Sequence, residues 1–317
     1  MSESAFRLSR AITPSHYRLM IAPDLDAATF DGTVSIDAET TEGTDSITIH
    51  AVDLTITSAD ISQGGTTQAA DVSIDADTET VTLRVAEALN PGALEVNLAW
   101  NADISDGLVG FYRSTYTAAD GTTATLAATQ FEAPHARRAF PCFDEPDMKA
   151  TFVVTLLIDP DHLAVSNSAE VERSERDDGR VLVRFADTMK MSTYLVAWVV
   201  GPLEATEATM VGDTPVRVVH QPGQAHLTAF ALETAEHALV YFENYYGIAY
   251  PGDKLDLVAL PDFAFGAMEN LGCVTFREVL LLVDPERATR AEQRRLATVI
   301  NHELAHMWFG DLVTMAW

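Results

Sequence analysis

The sequence predicts a mainly β N-terminal domain of curved or sandwiched antiparallel sheets, followed by an α+β region. Three observations carry this prediction. Hydrophobic residues make up 47% of the 317 residues, which is enough for sizeable cores in about two domains. Up to residue 204, apolar and polar residues alternate in short runs, which is typical of strands. Beyond that residue, apolar residues recur at three- and four-residue steps, which is typical of helices.

The strands of the first domain are indicated by a period of two. The clearest runs are Val81, Leu83 and Val85, then Leu94, Val96 and Leu98, and later Val181, Val183 and Phe185. Because the intervening residues are mostly polar, we expect antiparallel sheets with one face in water. Turn signals separate the strands, and they are Asp31-Gly32, Gly64-Gly65, Asn90-Pro91-Gly92 and Asp178-Gly179.

The second domain is expected to begin with a helix over residues 224–246, stopped by Gly247. Its predicted apolar face consists of Leu227, Phe230, Ala231, Ala235, Ala238, Phe242 and Tyr245. Short apolar runs at Leu255–Leu260 and 279–283 predict strands. A second helix should start at a capping box of Thr289 and Glu292 and end near Gly310. The boundary is therefore placed near residue 204, giving domains over 1–204 and 205–317.

Composition and charge narrow the classes of partner. The chain has 47 Asp and Glu against 20 Lys and Arg, and its net charge of −27 disfavours nucleic acid and anionic membranes. The only two cysteines are Cys142 and Cys273, so a disulfide framework is not expected. Neither a signal peptide nor an apolar run near the roughly 18 residues of a membrane span is visible. We expect a cytoplasmic protein without nucleic-acid or membrane partners.

The segment NHELAHMWFGDLVTMAW at residues 301–317 carries a metal-binding pattern. His302 and His306 stand four apart in the second predicted helix, so both imidazoles project from one face. This spacing suits two ligands of one tetrahedral zinc ion, with Glu303 as general base toward an activated water. The alternative without metal binding is two core histidines beside a surface glutamate. A separate apolar stripe on the helix favours the metal site, because it would anchor one side of the helix and leave the histidines on another. The stripe consists of Leu296, Ile300, Leu304 and Met307.

The residues after His306 exclude one class of zinc peptidase. Phe309 and Leu312 stand where a metzincin would need glycine and histidine.

A second motif lies upstream, in PDFAFGAMENLGCVTFRE. It places Gly266, Ala267, Met268, Glu269 and Asn270 between two strand-like runs. Small residues there would let a peptide backbone approach a sheet edge, with the glutamate beside it. Taken alone, such a motif is more often an ordinary loop glutamate.

Together these motifs resemble the gluzincin aminopeptidases, the aminopeptidase N family. TQFEAPHARRAFPCFDEP, at residues 129–146, is similar to the family's segment between its first β-domain and its active site. ITPSHYRLMIAPDLDAATFDGTVSI resembles the family's first strands, and MSTYLVAWVVGPLE the end of that domain. The resemblance covers essentially the whole chain. It implies that residues 205–317 are the first, α+β part of a thermolysin-like metallopeptidase domain.

The resemblance also implies a role for each matching residue. His302 and His306 would bind one Zn²⁺, and Glu303 would be the general base. Glu269 and Glu132 would hold the free α-ammonium of a peptide substrate, as two carboxylates facing one cation. Glu132 further favours a plain aminopeptidase, because the branch with epoxide hydrolase activity has glutamine at this position.

The rest of the GAMEN motif would bind substrate as well. Gly266 and Ala267 would run their backbone alongside the peptide, and Met268 and Asn270 belong to the same segment.

Two further family groups would lie beyond Trp317: a third zinc ligand, which is a glutamate of the next helix, and a tyrosine that stabilises the oxyanion. The 317-residue chain by itself is therefore expected to bind zinc weakly and to be inactive. Self-association is expected through an apolar surface at Met307, Trp308 and Phe309. Two alternatives stay open: an inactive module that binds peptide N-termini, and a structural β-domain that docks a partner.

Overall fold

The computed structural model describes residues 7–317, and most of its regular structure is β-sheet. Two α-helices occur over these residues, α1 (Ala229–Tyr246) and α2 (Arg290–His306). The strands are β1 (Ile12–Asp24), β2 (Thr29–Thr40), β3 (Thr44–His50), β4 (Thr55–Gln63), β5 (Thr66–Ala69), β6 (Asp71–Asp75), β7 (Thr80–Leu89), β8 (Gly92–Asp103), β9 (Gly110–Thr117), β10 (Thr123–Gln130), β11 (Thr151–Ile158), β12 (Leu163–Ser166), β13 (Glu170–Glu175), β14 (Val181–Phe185), β15 (Trp198–Gly201), β16 (Glu204–Ala205), β17 (Thr209–Val211), β18 (Thr214–His220), β19 (Leu255–Leu260), β20 (Ala267–Met268) and β21 (Cys273–Arg277).

Strands β1 to β15 form three sheets. The largest has the order β13-β14-β11-β1-β2-β8-β4-β5, the second β12-β15-β10-β9, and the third β3-β7-β6. Strands β16 to β21 form a fourth sheet, with the order β16-β18-β19-β21-β20 and β17 paired to β18. This confirms the predicted fold class, a mainly β domain followed by an α+β region. The domain boundary near residue 204 stays a prediction.

The largest sheet is mixed, whereas the alternation predicted antiparallel sheets. β1 runs parallel to β11, with His16 opposite Thr151 and Ile21 opposite Leu156. Parallel neighbours need a long crossover connection, and nine strands of the chain lie between these two. A period of two gives the face of each side chain but not the direction of the neighbouring strand.

The predicted turn at Asp31-Gly32 is wrong, because both residues lie inside β2. Gly32 pairs with Trp100 of β8, and a Cβ at Gly32 would lie 2.2 Å from the Trp100 ring. The glycine therefore makes room for an indole that lies across the strand. The Asp31-Gly32 dipeptide matches a turn signal although it lies within a strand.

The predicted strand at 279–283 is also wrong. A 3-10 turn covers Glu278–Leu280, and the backbone N–H of Val283 donates to Leu227 O at 3.1 Å. Leu280 and Leu281 are buried, so the apolar run reflects packing. A short apolar run cannot by itself distinguish a strand from another buried segment.

Helix α1 ends where the sequence predicts. Gly247 adopts the left-handed conformation (φ 67°), and its N–H donates to Glu243 O. The predicted face is less accurate, because Tyr245 is 68% exposed whereas Leu239 is buried. The helix starts at Ala229, after a 3-10 turn at Ala225–Leu227.

Helix α2 begins with the predicted capping box. The Thr289 hydroxyl accepts from Glu292 N, and the Glu292 carboxylate accepts from Thr289 N. The helix ends at His306, four residues before Gly310, so the predicted stop is late. Neither α-helix among residues 7–317 is long and apolar enough to cross a membrane.

Candidate active site

The end of α2 is anchored against α1. The apolar stripe predicted for α2 is buried throughout, at Leu296, Ile300, Leu304 and Met307. Just past the helix, the Trp308 ring stacks on Tyr246 with 5.6 Å between centroids. Its indole N–H donates to Ile248 O at 3.0 Å. These contacts hold the last helical turn, which carries the predicted metal ligands, in a fixed place.

The two histidines converge on one point. His302 Nε2 and His306 Nε2 are 3.2 Å apart. Two nitrogens on one tetrahedral zinc, each about 2.05 Å from the metal, would lie about 3.3 Å apart. The His306 Nδ1–H donates to Phe309 O at 3.1 Å, since a carbonyl can only accept. In the neutral ring, this leaves the Nε2 lone pair free for a metal.

Gly310 makes that arrangement sterically possible. A Cβ at this position would lie 2.8 Å from His306 Nδ1, and the glycine has φ 155°. The turn after α2 thus closes directly onto the imidazole.

These donors fit half of a tetrahedral zinc site. Both ligands are imidazole nitrogens, which zinc accepts readily, and their spacing is right. Within residues 7–317, no set of three or more His, Cys, Asp or Glu side chains is arranged to hold a metal ion. His302 and His306 could therefore supply two ligand positions, and the described residues supply no complete coordination sphere.

Glu303 lies in a low-dielectric, negatively charged environment. Its side chain is buried at 5% exposure. Burial, followed by the charges of Glu269 and Glu132, raises the pKa of Glu303 to about 8. A carboxyl with a raised pKa holds a proton more readily near neutral pH, which suits a group that accepts and returns protons.

Glu269 is presented by the edge of the fourth sheet. β20 pairs on one side with β21, where Ala267 faces Phe276, and in the sheet order it is the last strand. Gly266 and Ala267 are half-buried on this edge, whereas Met268 is buried. The Asn270 side chain donates to Thr275 Oγ1 at 3.2 Å, so it braces the loop that carries Glu269.

Glu132 reaches the same region from the first domain. It lies two residues after the end of β10 and is exposed, while its neighbour Phe131 is fully buried against Trp198 and Phe140. Burial raises the pKa of Glu132, and the charge of Glu269 adds to this effect. Two carboxylates that repel each other gain from a cation placed between them.

One cavity of about 420 Å³ joins these groups. Three predicted site residues line it, namely Glu132, Glu269 and His306. Apolar or neutral groups form the rest of its wall: Ala133, Pro146, Tyr194, Phe309, Gly310, Val313, Thr314, Met315 and Trp317. A larger cavity of about 530 Å³ lies against the largest sheet, and no predicted site residue lines it.

Sequence reasoning does not foresee the burial of two polar side chains near the site. Asp311 is completely buried, and neither carboxylate oxygen has a hydrogen-bond partner among the described residues. Burial and the charge of Glu269 raise its pKa. Gln130, just before the Glu132 segment, is also fully buried with its amide unpartnered in the same sense. A glutamine at the end of β10 and next to the apolar Phe131 is a sequence signal for the burial of Gln130. Nothing local marks the burial of Asp311.

Comparison with known proteins assigns both parts of the chain. Residues 13–195 match the family model described as the peptidase M1 N-terminal domain, and residues 230–317 match the peptidase family M1 domain.

Curated relatives match along nearly the whole chain. The puromycin-sensitive aminopeptidase of Caenorhabditis elegans is 40% identical over 314 residues, covering 98% of this chain and 33% of the relative. Aminopeptidase M1 of Arabidopsis thaliana is 41% identical over 317 residues, covering 98% and 36%. Endoplasmic reticulum aminopeptidase 2 of Homo sapiens is 38% identical over 318 residues, covering 98% and 33%. The chain thus spans about a third of the length of these relatives.

Proposed function

Because this chain belongs to peptidase family M1, we propose that it supplies the substrate-binding and metal-binding groups of a zinc aminopeptidase. The relatives named above are aminopeptidases, but the chain spans only about a third of their length. The reaction and its substrates are therefore inferred from the site.

A single observation carries the proposal. Carboxylates from both parts of the chain and one histidine of the pair meet at one cavity, which Glu132, Glu269 and His306 line. The charge of Glu269 raises the pKa of both Glu132 and Glu303, so the three carboxylates lie in one electrostatic neighbourhood. Such a concentration of negative charge beside a cation-binding histidine pair suits a substrate that is itself a cation.

In the proposed mechanism, Glu132 and Glu269 hold the α-ammonium of a peptide. Charge-assisted hydrogen bonds from the ammonium would fix the first residue and place its carbonyl at the histidine pair. The open edge at Gly266 and Ala267 can pair with the peptide backbone as an added strand. This geometry removes one residue at a time from a free N-terminus.

Glu303 handles the proton in this mechanism. Its carboxylate accepts a proton from the attacking water and returns it to the departing amine. A zinc ion held by His302 and His306 would supply Lewis-acid chemistry, polarising the carbonyl and acidifying water. The raised pKa of Glu303 matches a group that must carry the proton between these two steps.

The ammonium clamp is tested by comparing an aminoacyl anilide with its N-acetyl form, on the longest natural form of the protein. We expect kcat/KM to fall strongly on acetylation, because the acetylated amine has no charge. Glu269→Gln should lower kcat/KM for the free amine and leave the residual rate on the acetylated form unchanged. Equal kcat/KM values for the two substrates would refute the clamp.

A second candidate is an inactive module that binds peptide N-termini. The observation that favours it is the absence, within residues 7–317, of a third side chain that completes the metal site. Binding of a free-amine peptide without turnover and without dependence on zinc would select this candidate. Turnover that is lost with a chelator and restored by zinc would select the enzyme.

Two further proposals concern the cellular location of the protein and its self-association. A cytoplasmic location is supported by Cys142 and Cys273, which are both unpaired. Self-association is supported by exposed apolar side chains after α2, which include only one of the three that the sequence suggested. Met307 and Trp308 are buried, and of the three only Phe309 is exposed, at 73%. The reason is that Met307 completes the stripe of α2 and Trp308 stacks against α1.

A further inference from the structure

The turn after α2, residues 307–313, is folded back onto the helix. Asp311 N donates to His306 O at 2.9 Å, and Val313 N donates to Trp308 O at 3.2 Å. Phe309 lies in this turn, and its carbonyl oxygen is the acceptor for His306 Nδ1–H. The position of the turn therefore decides whether that hydrogen bond forms.

A lysine from the first domain holds this turn from outside. Lys149 Nζ donates to Asp311 O at 2.8 Å and to Leu312 O at 3.3 Å. Both acceptors are backbone carbonyls just past a helix end, where a cation is favourable. Lys149 comes shortly before β11 and is half-buried. Burial lowers the pKa of Lys149, and the nearby carboxylate of Asp311 partly opposes this shift.

The contact between the turn and the histidine is close. A Cβ at Gly310 would already collide with His306 Nδ1, so the turn cannot shift far without moving the ring. Tyr194 offers one additional contact to the same turn, a long 3.4 Å hydrogen bond to Gly310 O. Among the described residues, Lys149 is the only cationic side chain that donates to these carbonyls.

We propose that Lys149 is a positioning residue for the metal site. It holds the 307–313 turn so that Phe309 O captures the Nδ1 proton of His306 and the Nε2 lone pair faces His302. The expected effect on metal affinity rests on the metal-binding role proposed for His306, whereas the effect on its tautomer does not. The tautomer itself is set by hydrogen bonding. Removing an outer partner of a metal-ligating histidine typically lowers metal affinity about 10- to 100-fold.

The first measurement is the tautomer of His306 in the metal-free 317-residue chain, from ¹⁵N chemical shifts of the imidazole at pH 8. We expect Nδ1–H in the unmodified chain. Lys149→Met should shift the population toward Nε2–H, and Lys149→Arg should restore it because a guanidinium also donates to two carbonyls.

The matched control is Lys190→Met. Lys190 is close enough for its charge to lower the pKa of Lys149, it is exposed, and it donates no hydrogen bond among the described residues. This change removes the same charge from the same neighbourhood without touching the turn. It should leave the His306 tautomer unaltered.

The second measurement is the affinity for Co²⁺, followed by its visible absorption, with a His302→Ala/His306→Ala chain defining background. We expect Lys149→Met to weaken binding about 10- to 100-fold and Lys190→Met to leave it nearly unchanged. If Lys149→Met does not fold, Lys149→Gln, which keeps an uncharged N–H donor group, should give an intermediate loss.

Three results would overturn the proposal. One is an unchanged tautomer in Lys149→Met or, where that chain does not fold, in Lys149→Gln. Another is an equal loss of Co²⁺ affinity in Lys149→Met and Lys190→Met, which would mean a general charge effect. The third is failure of Lys149→Arg to restore either readout. If the tautomer shift is seen in the 317-residue chain but the longest natural form has no peptidase activity, the proposed function is refuted and this inference stands.

Discussion

Glu303 illustrates how one side chain obtains its chemistry from its surroundings. Its place between two histidines puts it on the last turn of α2, but its pKa near 8 comes from burial and from Glu269 and Glu132, which belong to distant segments. An exposed glutamate in the same helix would stay ionised at neutral pH. The local motif therefore fixes the position of Glu303, and residues distant in sequence set its pKa.

We predict that Glu303→Gln retains metal and loses rate. Glutamine preserves the shape of the side chain but cannot accept and return a proton, so kcat should fall at least about 100-fold. Metal content and kcat are to be measured on the same preparation of the longest natural form. If zinc is lost together with activity, Glu303 has a structural role instead.

His50 gives a pH-dependent prediction far from the cavity. Burial and, next, the charge of Arg137 lower the pKa of His50 to about 3, and its Nδ1 accepts Asp144 N–H at 3.2 Å. A histidine with a lowered folded-state pKa binds fewer protons when folded than when unfolded. Its contribution to stability is therefore complete above the unfolded pKa of about 6.5 and is lost as pH falls.

The test compares the 317-residue chain with His50→Asn, which keeps an acceptor but cannot become charged. Between pH 6 and pH 5, the free energy of unfolding of the unmodified chain should fall relative to the variant by about 1 kcal/mol. Urea denaturation at each pH measures this difference. The control is His237→Asn at an exposed position of α1. A pH-independent difference for His50→Asn would show that His50 does not titrate between the two states.

At the scale of elements, α2 and its turn act as one unit. The capping box fixes where the helix starts, the buried stripe fixes its rotation, and the turn at 307–313 fixes the ring of His306. The sequence pattern predicts the first two features, because both depend on spacing along one helix. The turn depends on hydrogen bonds to Lys149, which is far away in sequence.

Gly310→Ala should displace the 307–313 turn from the end of α2. A Cβ would meet His306 Nδ1 at 2.8 Å, and the positive φ adds strain of about 1–3 kcal/mol. We expect Co²⁺ affinity to fall at least about 10-fold, with a lower melting temperature. Gly223→Ala is the control, because Gly223 also has positive φ but its Cβ would meet nothing within 4 Å. Equal Co²⁺ affinities in the two variants would contradict the steric argument.

At the scale of the whole molecule, the cavity is assembled from segments that lie far apart in sequence. Glu132 follows β10, Tyr194 precedes β15, Glu269 follows β20, and His306 ends α2. Their convergence requires the second and fourth sheets to pack together. The fully buried Asn167 contributes to this packing by donating to Leu195 O and to Leu271 O.

An apolar surface borders the same cavity and gives a prediction about assembly. Phe309, Val313, Met315 and Trp317 line it together, and Met315 is 79% exposed. Exposed apolar patches of this kind favour association. Sedimentation of the 317-residue chain should show concentration-dependent self-association, and Met315→Lys should reduce it. Met210→Lys, at another exposed methionine, is the control. A monomer at all concentrations would contradict this prediction.

By itself, the sequence determined the fold class, the strands with the clearest alternation, both helices with the capping box and the Gly247 stop, and the spacing of His302, Glu303 and His306. These features depend on local periodicity and on residues a few positions apart. Only the tertiary structure decided that β1 runs parallel to β11, that Gly32 serves Trp100, and that Asp311 is buried. It also decided that Lys149 reaches the turn below His306. Such features depend on which distant segments become neighbours, and burial, charge and hydrogen bonding act on each side chain only after that packing is complete.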